Sequence, residues 1–210
     1  MSATVAAAAR LRALIGDGRV APGDKLSERE MTGALGISRN TLREVFSTLE
    51  SELLITRVPH RGVFVAQLSA ASIRETYATR RLLEPAAALW GDTALVLPAL
   101  RDAAAEMLAA RDASDATRMA DANQRFHRHL VSCTGSIAVV ETMDKTLARM
   151  RMAFAHMRGL DDFHAPYAAL NAELCGLLQD DRREDAATFL RAYLDRAERE
   201  LLDHYSRQHG

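Results

Sequence analysis

Cysteine is almost missing from this chain. Cys133 and Cys175 are its two thiols, and their separation fits neither a metal-ligand nor a redox spacing. Each reads as a buried small hydrophobe in a reducing compartment rather than half of a disulfide. Aromatic residues are scarce, at 5%, while alanine and leucine abound, a composition that leans helical. No apolar run reaches the roughly 18 residues that a membrane span requires. The alanine-rich start, Met1 to Ala9, lacks a basic flank, and Arg10 and Arg12 interrupt it, so it is not read as a signal peptide. A soluble, cytoplasmic protein with no membrane partner is expected. Enzyme signatures are missing too: there are no paired carboxylates, no nucleophile elbow and no phosphate-binding loop. His127 shows no evident orienting acid in the sequence, so no enzymatic activity is expected. Neither an internal repeat nor a low-complexity linker is present.

The informative stretch is Ser27 to Phe64. Ser27 and Glu30 form a capping box at a helix start. The short helix that follows carries Met31 and Leu35 inward and stops at Gly36, a residue suited to a left-handed cap. Ser38 is the next N-cap, after a four-residue turn. Beyond it Leu42, Val45, Phe46 and Leu49 fall at i, i+3, i+4 and i+7, the buried stripe of an amphipathic helix. That is a helix-turn-helix. Leu54 to Val58 and Gly62 to Val65 are apolar, β-branched runs separated by Pro59, His60 and Arg61, which predicts a hairpin, the "wing". Upstream, Val5, Ala8, Leu11, Leu14 and Ile15 predict a first helix ending at Gly16-Asp17-Gly18.

The other face of the second helix of this motif is polar. Arg39, Asn40, Arg43 and Ser47 project away from the apolar stripe. In a helix laid into the major groove the N-terminal residues, here Ser38 to Arg43 with Thr41 among them, meet the DNA. Arginine matches the N7 and O6 edge of guanine, and asparagine matches N6 and N7 of adenine. Arg29, His60 and Arg61 are placed to hold phosphates or enter the minor groove. Residues 1–68 hold 9 Lys+Arg and 7 Asp+Glu, whereas residues 69–210 hold 18 and 21, so the slight positive bias sits in the half with this motif.

The segment from Gly18 to Gln67 resembles the winged-helix domain of the GntR family of bacterial transcription regulators. The resemblance is carried by Pro22-Gly23, Leu26-Ser27-Glu28, Leu35-Gly36-Ile37-Ser38-Arg39, Leu42-Arg43-Glu44 and Arg61-Gly62-Val63-Phe64-Val65. It implies that Arg29, Arg39, Asn40, Arg43, His60 and Gly62 occupy DNA-contacting positions.

A boundary falls near Gln67 to Ala70, giving domains 1–67 and 68–210, with Ser69 or Ser72 as the cap of a long helix. Helical periods follow over roughly 70–91, 95–112, 115–134, 136–158, 163–180 and 184–207. Breaks come at Gly91-Asp92, Gly135, Gly159, Pro166 and Asp180 to Asp185. The fold class expected is mainly α: a winged helix-turn-helix of three helices plus a β-hairpin, then an all-α six-helix effector bundle.

Two polar pairs lie on stripes that should face inward. Ile73, Tyr77, Arg80 and Glu84 follow one helical face, so Arg80 and Glu84 are either an ion pair at the bundle edge or an arginine aimed at an anion. Asn123 and His127, one turn apart beside Phe126 and Leu130, are either hydrogen-bonded core residues or ligands. His129, His156, His164, His204 and His209 share no spacing and receive no role.

The runs IRETYATRRLLEPAAALW, NQRFHRHL and EDAATFLRAYL are similar to the helical FCD domain of the FadR-type branch of the same family. Many members hold a divalent metal with an Asp and three His. Those positions fall here on Asn123, His127, Asn171 and Tyr193, so only His127 is retained. The resemblance implies no resident cofactor, with a zinc-like metal as the alternative, and an organic ligand, plausibly a carboxylate, contacting Arg80, Asn123, His127, Asn171 and Tyr193. It further implies a homodimeric repressor on a palindromic double-stranded operator. The alternative function is a metal sensor using the divergent Asn/His/Asn/Tyr set.

Overall fold

The computed structural model describes residues 3–16, 18–67, 69–156 and 163–209. Asp17, Leu68 and the break expected at Gly159 lie outside the described residues, as do the side chains of His156 and His209. The order is α1 (Ala3–Gly16), α2 (Glu28–Leu35), α3 (Arg39–Ser51), β1 (Ile55–Val58), β2 (Gly62–Val65), α4 (Ala70–Trp90), α5 (Thr93–Asp112), α6 (Ala116–Ser132), α7 (Ile137–His156), α8 (Ala165–Gln179) and α9 (Arg183–His209). This is a winged helix-turn-helix followed by a helical bundle. The chain divides into two compact units: 1–72 with 147–156, and 73–146 with 157–210. The C-terminal half of α7 thus groups with the first unit, and Met152 lies in its core.

In the first unit α1, α2 and α3 close over Leu11, Ile15, Leu35, Leu42, Val45, Phe46 and Leu49. The α1 stripe differs from expectation at one position: Val5 is exposed, and Ala7 takes the inward place beside Ala8. Met31 is half-buried against the core, so Leu35 is the main anchor of α2. Two arginines of α1 brace the motif. Arg10 donates to the carbonyls of Ala34 and Leu35 at 3.1 and 3.2 Å, and Arg12 forms a two-point bond with Glu52. The turn between α2 and α3 is Gly36, Ile37 and Ser38, one residue shorter than expected, with Gly36 in the left-handed region at φ 68°. The hairpin pairs Ile55 with Val65 and Val58 with Gly62, antiparallel, and Lys25 forms an isolated bridge to Phe64.

At the end of the first unit Ser69 and Ser72 cap α4 reciprocally. Each hydroxyl accepts the other's backbone N–H, at 3.0 and 2.9 Å. Pro166 lies in the first turn of α8, where its missing N–H costs nothing. Leu100, Ala103, Ala104, Phe126, Leu130, Leu174 and Leu190 build a core in which small residues on α5 let neighbouring helices approach. Both cysteines are free and buried. No helix among the described residues is long and apolar enough to cross a membrane.

Candidate functional site

Two places carry unusual chemistry, one in each unit. The first is the tip of the helix-turn-helix. Leu42, Val45, Phe46 and Leu49 are wholly buried, so the opposite face of α3 is turned out, and Arg39, Asn40, Arg43 and Ser47 are exposed on it. Ser38 Oγ accepts the Thr41 amide at 3.1 Å and lies 2.9 Å from the Thr41 hydroxyl. Ser38 and Thr41 therefore set the start of the helix and the direction of Arg39 and Asn40. Arg43 is held loosely, 3.6 Å from Glu28, with both side chains largely in water. An exposed pair of this kind contributes little and yields readily to a stronger anion.

Arg29 on α2 is exposed on its own helix. At the wing tip His60 and Gly62 have positive φ, 61° and 116°, and a Cβ at position 62 would come within 3.0 Å of Lys25 Cε. Arg61 lies over the Phe64 ring, 5.7 Å from its centroid. Two cations had escaped notice in the sequence. Arg57 on β1 bonds Glu50 at 2.8 Å and reaches Ser47 at 3.4 Å, which brings it to the C-terminal end of the exposed α3 face. Lys25 sits at the wing base through its bridge to Phe64. Strand pairing brings both there, and helical periodicity carries no signal for either.

The second place is a polar cluster inside the bundle. Arg80 Nε donates to Glu84 Oε1 at 2.6 Å, and both side chains are buried, so the pair lies in the interior and not at an edge. Glu84 Oε2 is 2.7 Å from His127 Nδ1. His127 therefore has a carboxylate partner after all, delivered from another helix 43 residues away. His127 Nε2 meets the Tyr193 hydroxyl at 3.1 Å, and that hydroxyl is 3.4 Å from Asn123 Oδ1. Asn171 Nδ2 donates to Asn123 Oδ1 at 3.1 Å and lies 3.0 Å from the Met107 sulfur. The fold thus gathers Arg80, Asn123, His127, Asn171 and Tyr193 into one network, with Glu84 bridging Arg80 and His127.

Burial works to raise the Glu84 carboxyl, but Arg80 and His127 outweigh it and hold it at about 2. Burial lowers the His127 imidazole below its ordinary value and raises the Tyr193 phenol above its own. His164, which caps α8 and had no sequence signal, is buried beside this network; burial, then His127 and Arg80, push it down to about 3. The ring of Tyr77 flanks the Arg80 guanidinium at 5.2 Å.

Sequence comparison then places the chain. Residues 3–65 match the model described as bacterial regulatory proteins, gntR family, and residues 75–196 match the FCD domain. This chain belongs to the GntR family of regulators, in its FCD-containing branch. A transcriptional regulator GntR from Rhodococcus sp. RHA1 is 33% identical, with a TM-score of 0.85 over 97% of this chain and 99% of that one. The Nta operon transcriptional regulator of Aminobacter aminovorans is 26% identical over 87% of this chain and 86% of its own length. An HTH-type regulator of the TAR-I ttuE-ttuC' intergenic region in Agrobacterium vitis is 36% identical over 53% of this chain and 69% of its own. These relatives are transcription regulators, and this GntR-family chain is a DNA-binding transcription regulator rather than an enzyme.

The positions to which the resemblance assigns metal ligands carry Asn123, His127, Asn171 and Tyr193. Two amides, one imidazole and a phenol kept protonated by burial bring no negative charge to the four positions. Asn123 Oδ1 is already taken by Asn171 and Tyr193, and the Glu84 carboxylate by Arg80 and His127. Among the described residues no three His, Cys, Asp or Glu side chains gather as a metal-binding group.

Proposed function

We propose that this regulator is a ligand-responsive repressor that works as a homodimer on a palindromic operator and needs no resident metal. The observation that carries the reading is the division of α3: one face wholly buried, the other presenting Arg39, Asn40 and Arg43 at the helix start. Laid into the major groove, that start brings Arg39 and Arg43 to guanine edges and Asn40 to adenine. Ser38 and Thr41 hold the helix start against the DNA. Arg29, His60 and Arg61 take the flanking phosphates or minor groove, with Gly62 allowing the wing to turn. Two such heads, related by a two-fold axis, read half-sites about one helical turn apart.

The small-molecule signal enters at the buried network of the bundle, where the Arg80 guanidinium receives a carboxylate. Linkage is reciprocal: a ligand that disfavours the DNA-bound geometry is itself bound less tightly on the operator. The test uses a duplex selected by the wild-type protein from a random-sequence library. Fluorescence anisotropy should show salt-dependent binding, light scattering should give a dimer mass, and the selected sites should be palindromic. Recovery of no consensus sequence would end this reading.

A further inference from the structure

The wing holds a cation that its own hairpin does not encode. Asp24 to Leu26 run antiparallel along the open edge of β2. The Leu26 amide donates to the Val63 carbonyl at 2.8 Å, and the Val65 amide to the Asp24 carbonyl at 2.9 Å. Lys25 therefore stands opposite Phe64 in a non-hydrogen-bonded pair, where facing side chains lie closest. Gly62 and Phe64 share that face, because side chains alternate along a strand. From there the Lys25 stem runs toward the turn. A Cβ on Gly62 would lie 3.0 Å from Lys25 Cε and 3.8 Å from its Nζ. The Lys25 backbone is thus at the wing base, whereas its ammonium lies beside the turn that holds His60 and Arg61. A side chain at position 62 would stand in its path.

The charge is unanswered there. Lys25 is exposed, and among the described residues no acceptor bonds its ammonium. The neighbouring Asp24 turns to its own loop and accepts the Ala21 amide at 2.8 Å. Elsewhere in the same unit Arg12 and Arg57 are held by Glu52 and Glu50. Arg61 lies over the Phe64 ring, so two cations flank one half-buried aromatic side chain. Covering Phe64 would need only the apolar stem of Lys25 and not its charge.

We propose that Lys25 is a DNA-contacting residue of the wing, whose ammonium grips a backbone phosphate of the operator, with Gly62 leaving the path by which it gets there. This extends the wing contact proposed above and rests on it. A phosphate contact positions the reading head without carrying a base preference. It also releases a counterion, so its signature is the salt dependence of binding. Of the 27 Lys and Arg residues only Lys25 and Lys145 are lysines, which makes the contact open to amine chemistry.

Two measurements on the full-length protein test it, both with the duplex selected by wild type. In the first, amines are acetylated with an N-hydroxysuccinimide ester, with and without the duplex, and read by mass spectrometry. Lys145, exposed on α7, is the internal reference. The duplex should protect Lys25 severalfold and leave Lys145 unchanged. Equal labelling of Lys25 in both samples overturns the proposal. In the second, binding is followed by anisotropy across a salt series for Lys25→Met and Lys25→Arg. Methionine keeps the stem and removes the charge. The slope of log affinity against log salt should become shallower by about 1 for each bound chain, with matched and scrambled duplexes weakened alike. Lys25→Arg should keep the wild-type slope, because a guanidinium also binds phosphate. A wild-type slope in Lys25→Met would show that only the stem matters and overturns the proposal. If Arg39→Ala still weakens binding in that case, the reading of α3 stands. If both variants bind as wild type does, that reading fails together with this one.

Discussion

Glu84 and His127 meet at 2.7 Å in the interior of the helical bundle, although they belong to different helices. The other oxygen of the same carboxylate holds Arg80 at 2.6 Å. One buried acid thus serves a guanidinium and an imidazole at once, and from His127 the contacts continue to Tyr193, Asn123 and Asn171.

Removing that acid should be costly. Glu84→Ala leaves the Arg80 charge buried without its partner, for which a loss of about 3–5 kcal/mol is expected. Glu84→Gln keeps the shape but removes the charge and should also destabilise. Urea denaturation followed by circular dichroism measures both. A Glu84→Ala protein as stable as wild type would mean that Arg80 is not buried as described.

Acid should weaken the protein in two stages. His164 is held neutral by burial, pushed from its ordinary 6.5 down to about 3, so the unfolded chain binds a proton before the folded one does. His127 is lowered in the same sense. Their contribution is full above about pH 6.5 and falls as the pH drops below it. Glu84, held at about 2 against an ordinary 4.5, contributes above about 4.5 and loses that contribution as pH falls toward 2. Urea midpoints measured across this range should decline from neutrality downward, and His164→Leu should flatten the first part. A midpoint unchanged between neutral and mildly acidic buffer would contradict the burial of these imidazoles.

On the DNA side, Arg39→Ala or Arg43→Ala should cost about 1–3 kcal/mol of operator binding and relax sequence preference. Helix content and mass in solution should not change, because both side chains are exposed. Arg57→Ala tests the cation that pairs with Glu50 near Ser47, and should weaken binding more evenly across sequences. Anisotropy with matched and scrambled duplexes distinguishes the two patterns. Wild-type affinity in both α3 variants would show that another face meets the DNA.

The metal-ligand set can be put back by substitution. Asn123→Asp, Asn171→His and Tyr193→His add one Asp and two His to His127, completing the Asp and three His that the resemblance implies. The combined variant should take up about one zinc per chain, read by elemental analysis after dialysis, whereas wild type prepared in parallel should hold none in stoichiometric amount. Stoichiometric metal in the wild-type protein that His127→Ala removes would show that amides and a phenol ligate here.

The helix-turn-helix was legible in the sequence because its signals are local. Capping at Ser27 and Ser38, the stop at Gly36 and the Leu42/Val45/Phe46/Leu49 stripe each involve neighbours within two turns, and such contacts are written in sequence spacing. Helical periods placed the bundle helices for the same reason, with edges shifted by a few residues where packing, not propensity, ends a helix. Resemblance to the family named Asn123, His127, Asn171 and Tyr193 as a group, but spacing along the chain does not bring four helices together.

What only the tertiary structure decided is which polar residues meet. Arg80 and Glu84 read equally as a surface pair until α6 and α9 enclosed them, and Glu84 became the partner of His127 through packing across 43 residues. Met107 came into the network and His164 beside it, and Arg57 and Lys25 came to the exposed end of α3 and to the wing, with no periodic signal at all. Sequence alone determined the helices, the wing and the outward arginines, because backbone hydrogen bonding and apolar periodicity are short-range. The buried network needed the fold, because a desolvated charge takes whichever partner the packed helices bring within reach.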